Sequence, residues 1–175
     1  MENIIKTGIC SFGMSGKLFH APFVEAHPGF ELAGIVERNN NDSRERYHKS
    51  KLYRSVKELI ADKDLQLIVV NTPTHLHFEQ VKMALLAGKH VVVEKPFTVN
   101  VMEGEELIAL AARQNRLISV YQNRRYDSDY KIVKQVLSEG WLGNIVETEI
   151  HYDRYKEELN PKLHKEIPGP GTGCL

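Results

Sequence analysis

At 175 residues the chain has room for one domain and part of a second. Its composition is that of an ordinary globular protein, 42% hydrophobic and 26% charged, and a formal net charge of +0 lacks the basic excess that nucleic-acid or anionic-membrane binding requires. No apolar run approaches the roughly 20 residues of a membrane span and the start of the chain lacks a signal peptide, so a cytoplasmic protein is expected.

Residues 4–10 read as a first strand. Cys10 is expected to pack there as a small core hydrophobe, and with Cys174 it offers neither a disulfide framework nor metal-ligand spacing. Residues 15–27 are expected to be helical, with Pro22 breaking or kinking the helix. Between strand and helix lies Ser11-Phe12-Gly13-Met14-Ser15-Gly16. A dinucleotide fingerprint places G-x-G-x-x-G at such a turn, because backbone without a Cβ can approach a pyrophosphate and free N–H groups at a helix start favour the anion. Gly13 and Gly16 match the second and third glycines. Ser11 replaces the first and can make the turn only with a negative φ, and Gly8 falls out of register inside the strand.

Residues 31–36 form a second predicted strand, and Glu37 follows it roughly 20 residues beyond Gly16, where an acid should accept the adenosine ribose hydroxyls. A carboxylate there repels a 2′-phosphate and favours NAD. The neighbouring Arg38 can accommodate that phosphate, which keeps NADP open as the alternative; the pair also reads simply as a solvated strand end. Residues 42–49 suggest a short polar helix, and Ser55 caps another through residue 62. Residues 67–70 are an apolar strand. After Pro73, Thr74 is expected to cap a helix with Leu76, Val81, Ala84 and Leu85 at helical spacing and Gly88 just past its end.

The next strand, residues 90–93, runs into Glu94-Lys95-Pro96. A short apolar run of this kind suits a buried parallel strand, and open α/β sheets bind ligands beyond the carboxyl ends of their strands. Pro96 stops the strand, leaving Lys95 as an ammonium group at the mouth of a cleft, although a lysine past a strand is also commonly just a solvated end. A helix over residues 100–113 and a strand over 117–121 complete a βαβαβ order, which argues for a doubly wound parallel sheet. A further helix at 130–139 follows, then a strand at 144–155 whose Val146, Thr148, Ile150 and Tyr152 alternate. One helix and one strand cannot build a core of their own. The expected division is a dinucleotide-binding domain over residues 1–122 and the incomplete beginning of a second domain over 123–175.

Taken together, the chain resembles the amino-terminal half of the Gfo/Idh/MocA oxidoreductases. The resemblance rests on Gly13-Met14-Ser15-Gly16-Lys17-Leu18-Phe19-His20-Ala21-Pro22, on Asn71-Thr72-Pro73-Thr74-His75-Leu76-His77, on residues 87–96 ending in Glu94-Lys95-Pro96, and on Asn123-Arg124-Arg125-Tyr126. The loop and residues 153–155 are similar to the branch of scyllo-inositol and related sugar dehydrogenases. The resemblance implies a Rossmann domain followed by an α+β open-sheet domain, with hydride passing between a nicotinamide and a sugar or cyclitol carbon. It implies that Lys95 contacts substrate and assists proton transfer, a task that wants its pKa drawn below about 10.4 by partial burial. It also implies that Asn71, Thr72, Pro73 and His77 line the nicotinamide end, with Asn123 at the return between domains. Glu94 points to the other face of its strand and is expected to anchor the loop.

Members of the family carry an Asp-x-x-x-His pair whose histidine is the usual acid–base group, and that pair lies beyond Leu175 in register. The expectation is therefore a truncated form, or else a natural short product, that binds NAD with negligible turnover and pairs with another copy through the exposed sheet. Two rivals stand beside the dehydrogenase: an NAD-dependent glycoside hydrolase, and a non-enzymatic NAD(H)-sensing regulator of the same fold.

Overall fold

Six parallel strands form one sheet in the computed structural model, which describes residues 4–151 together with residues 153, 155, 157 and 169. They are β1 (Ile5–Ile9), β2 (Phe30–Val36), β3 (Lys51–Tyr53), β4 (Leu67–Val70), β5 (His90–Val93) and β6 (Ile118–Val120), in the order β3-β2-β1-β4-β5-β6. The strand order reverses between β1 and β4, which opens a crevice beyond their carboxyl ends. This is the doubly wound Rossmann arrangement expected from the alternation of apolar strands and helices.

The sheet is buried on both faces because neighbouring strand residues point opposite ways. Ile9, Ile35 and Val69 pack on one side with Ala21 and Tyr47. Cys10, Val36, Ile68, Val70, Val91 and Val93 pack on the other, against Leu59, Val81, Leu85, Leu107 and Leu110. The helices supplying those contacts are α1 (Ala21–Ala26) on the first side and α2 (Val56–Ala61), α3 (His77–Leu86) and α4 (Val101–Arg113) on the second. Local chemistry sets their starts. The Ser55 side chain accepts from Glu58 N–H, and that of Asn100 from Glu103 N–H. Gly88, at φ 73°, ends α3 in the left-handed region.

Several local expectations change. The first helix is not continuous: a π-helical turn over Gly16–His20 precedes α1, and Ala21 N–H donates back to Gly16. The interruption expected at Pro22 falls at His20/Ala21, and Pro22 occupies the first turn of α1, where a missing N–H is tolerated. Residues 42–49 yield only a 3₁₀ turn at Asp42–Glu45, and Lys51–Tyr53, not anticipated, forms edge strand β3 against Gly34, Ile35 and Val36. Thr74 does not cap a helix; Thr74–Leu76 is a 3₁₀ turn and α3 begins at His77.

The chain divides into two compact units, Met1–Tyr121 and Gln122–Leu175. In the second, a 3₁₀ turn at Asn123–Tyr126 leads to α5 (Ser128–Ser138), which buries none of its residues. The strand expected at 144–155 is absent from residues 144–151, and Val146 is 96% exposed. Alternation alone does not make a strand without a partner to complete its hydrogen-bond ladder. Tyr152 and Cys174 lie outside the described residues. Among the described residues no helix is long and apolar enough to cross a membrane.

Candidate functional site

The crevice at the reversal point is built by the ends of β1, β4 and β5. Ser11 leaves β1 and its carbonyl accepts a 2.8 Å hydrogen bond from Asn71 Nδ2 at the end of β4. The glycine turn is packed against the same pair. A Cβ on Gly16 would lie 2.2 Å from the Ser11 carbonyl oxygen and 3.2 Å from Asn71 Nδ2, so only glycine fits. Gly13 is different: its added Cβ would meet nothing nearer than Ser11 Oγ at 3.6 Å. The fold itself places no steric demand on Gly13, and the residue is exposed at the rim. Ser11 keeps a negative φ, since Asn115 is the one non-glycine with positive φ among the described residues. Phe12 turns inward, edge-on to Tyr47 at 5.7 Å, while Met14 stays exposed.

Asn71 is 7% exposed, and its Oδ1 is buried without a hydrogen-bond partner. A buried amide oxygen left unpaired costs about 1–3 kcal/mol, so it marks a place where a donor belongs.

Glu94 closes the crevice from β5. Its Oε1 accepts from Ser15 Oγ at 2.8 Å and lies 2.9 Å from His20 Nε2. Burial would raise this carboxyl, but the bonds from His20 and Ser15 outweigh it and hold the group below the ordinary carboxylate range. Glu94 thereby ties strand end to phosphate loop. Lys95 follows it with an exposed side chain, so the partial burial wanted for its task is not supplied by the described residues around it.

At the end of β2, Glu37 is 7% exposed and its carboxylate is already engaged. Oε1 accepts from Asp42 N–H at 3.0 Å, and Oε2 from the N–H and hydroxyl of Ser43. The loop beyond it is held by Arg54, which donates to the carbonyls of Glu37 and Asn40 and to Asn41 Oδ1. Arg38 stands exposed on that loop, and Lys17 pairs with Asp42 at 2.7 Å.

The segment 71–77 is only partly turned to the crevice. Thr72 Oγ1 donates to Gln80 Oε1 at 2.7 Å, and Pro73 is exposed. His77 is 1% exposed; its Nε2 lies 2.8 Å from the Thr72 carbonyl and its Nδ1 lies 3.0 Å from that of Pro96. Both ring nitrogens thus face backbone, and the imidazole staples the 72–73 loop to the segment after Lys95. Asn123 belongs to the second unit, half-buried in its 3₁₀ turn.

Sequence reasoning brought Ser11, Gly13, Ser15, Gly16, Asn71 and Glu94 to one place and missed two supports. His20 faces inward by way of the π-turn, a spacing no helical template offers. Arg54 acts on two backbone carbonyls and the Asn41 amide, and left no motif to read.

Residues 5–122 match a family model described as an oxidoreductase family with an NAD-binding Rossmann fold. The chain is 42% identical to the uncharacterized oxidoreductase C115.03 of Schizosaccharomyces pombe over 98% of its own length and 48% of that protein. It is 34% identical to scyllo-inositol 2-dehydrogenase (NADP(+)) IolW of Bacillus subtilis, covering 98% of this chain and 48% of that one. The solved YvaA structure of Bacillus subtilis superposes with a TM-score of 0.91 at 32% identity, over 98% of this chain and 49% of that one. The chain thus spans about half the length of the curated relatives it matches.

Proposed function

Because the chain belongs to the Gfo/Idh/MocA family of oxidoreductases, whose model is an NAD-binding Rossmann fold, we propose that the crevice beyond β1 and β4 receives a nicotinamide dinucleotide for hydride transfer to or from a sugar or cyclitol carbon. The observation that carries this reading is Asn71: a buried side chain at the reversal point, one end fixed to Ser11 and the other lacking a donor. The room beside Gly13 supports it, since nothing in the fold needs that glycine but a close-lying pyrophosphate would.

When bound, the nicotinamide supplies the hydride acceptor or donor. The chain's own residues then have separable tasks. Backbone N–H groups of the Gly13–Gly16 turn hold the pyrophosphate, and Asn71 Oδ1 takes a donor from the nicotinamide half. Glu37, held by Asp42 and Ser43, would set its negative charge beside the adenosine ribose and disfavour a 2′-phosphate, which favours NAD as the cofactor. Arg38 leaves NADP as the weaker ligand. Lys95 would donate a hydrogen bond to the substrate oxygen and steady the negative charge that develops on it. His77 holds the Thr72 loop in register with the segment after Lys95.

Titration of NADH into the purified protein, followed by its fluorescence, tests the cofactor reading; assays of NAD reduction with inositols and glucose test the substrate class. Saturable binding is expected. No binding of NADH or NADPH would reject the proposal.

A further inference from the structure

We propose that His20 is a positioning residue for the phosphate loop, acting through Glu94; the proposal rests on the reading that this loop receives the pyrophosphate. His20 is 4% exposed, and a buried imidazole needs a structural reason. The reason is geometric. The π-helical turn over Gly16–His20 holds one more residue than an α-turn, and that places the imidazole inward at the end of the turn. There Nε2 meets Glu94 Oε1 at 2.9 Å, across 74 residues of sequence. The same oxygen accepts from Ser15 Oγ, the residue just before Gly16, and Oε2 accepts from Lys95 N–H at 3.3 Å.

Two further contacts hold the ring in place. Tyr121, just past β6, lies with its ring 4.5 Å from that of His20, and its hydroxyl donates to the Phe19 carbonyl at 2.9 Å. His20 is therefore backed by β6, faces β5, and spans the turn whose backbone would carry the phosphates. One carboxylate links the loop start, the helix and the peptide of Lys95. Without His20 the Glu94 carboxylate keeps only Ser15 and its own neighbour as donors, and the Ser15–Gly16 corner loses its brace. Binding geometry set by such a brace is worth far more to a ligand than to the fold, because a loosened turn must be ordered again when the ligand binds.

The test compares His20→Leu, which removes the donor, with His20→Gln, whose amide can reach the Nε2 position. Two readouts are taken: NADH affinity, and amide hydrogen exchange of residues 13–17 in the ligand-free protein. His20→Leu is expected to weaken NADH about 10-fold and to speed exchange in the loop while β2 and α2 amides stay protected. His20→Gln is expected to recover most of both. Wild-type affinity in His20→Leu would overturn the proposal, and so would loosening spread evenly across the sheet, which marks a residue that is only core. Should the leucine variant not fold, Glu94→Ala, which removes the oxygen shared by His20 and Ser15, replaces it, with the same local loss expected and unchanged loop exchange overturning the idea. Wild-type protein that binds no NADH at all would instead remove the underlying cofactor reading.

Discussion

Gly16 sits so close to Ser11 that a single added methyl would stand 2.2 Å from the Ser11 carbonyl oxygen. The obstacle is backbone, which cannot swing aside as a flexible side chain would. Gly16→Ala is therefore expected to cost about 1–3 kcal/mol of stability by overpacking, and to lower NADH affinity with it. Gly13→Ala should behave oppositely, because its Cβ enters open space. Calorimetry should show Tm within about 2 °C of the parent while NADH affinity falls at least tenfold. Equal effects of the two substitutions on Tm would contradict the assignment of Gly13 to the ligand.

On the proposed reading, cofactor preference turns on Glu37. Glu37→Gln removes the charge facing a 2′-phosphate, at the cost of turning its amide NH2 toward one of the two backbone donors, Asp42 or Ser43, that the carboxylate now accepts from. Parallel titrations with NADH and NADPH should show the preference for NADH shrinking by about 10-fold, mainly through tighter NADPH binding. An unchanged ratio would mean the discrimination lies elsewhere on the loop.

Lys95 is exposed and no hydrogen bond involves its ammonium group among the described residues, so Lys95→Ala should leave Tm and NADH affinity close to the parent values. In protein that turns over a sugar or cyclitol, the same change should reduce the rate by roughly 10²–10⁴-fold. A variant with undiminished turnover would favour a non-enzymatic role for the crevice.

Acid stability should carry the mark of Asp62. Hydrogen bonds from the Tyr53 hydroxyl, the Asp64 amide and Lys51 hold its carboxyl well below the ordinary carboxylate range. A group with a depressed folded pKa stabilises the fold above its unfolded value of about 3.9, and that stabilisation is lost as pH falls through the folded value. Thermal melts of the parent and Asp62→Asn should differ most near neutral pH. The gap should narrow below about pH 4, and a gap that widens there would refute the assignment.

Short-range chemistry made much of the fold legible. The apolar runs Leu67–Val70 and His90–Val93 are strands over the residues expected, and Ser55 and Asn100 cap helices through bonds to amides only three residues on. These features were readable because the forces that set them act within a few residues. The strand β3 was not, since three residues carry no period and exist as strand only by pairing with β2. Residues 144–151 make the converse point: they alternate like a strand and form none.

The candidate site divides the same way. Residue order alone marked the glycine turn, Glu37, Asn71 and the Glu94–Lys95 junction as the places where chemistry should gather. It could not say that Glu37 would spend its oxygens on Ser43 and Asp42, that His77 would turn both nitrogens to backbone, or that His20 would reach Glu94. Those are partnerships of direction and distance between segments far apart in the chain, and only the packing of the sheet decides which side chain meets which. Patterns of residue type determine where strands, caps and turns fall; the closing of buried hydrogen bonds determines what each polar group is left free to do.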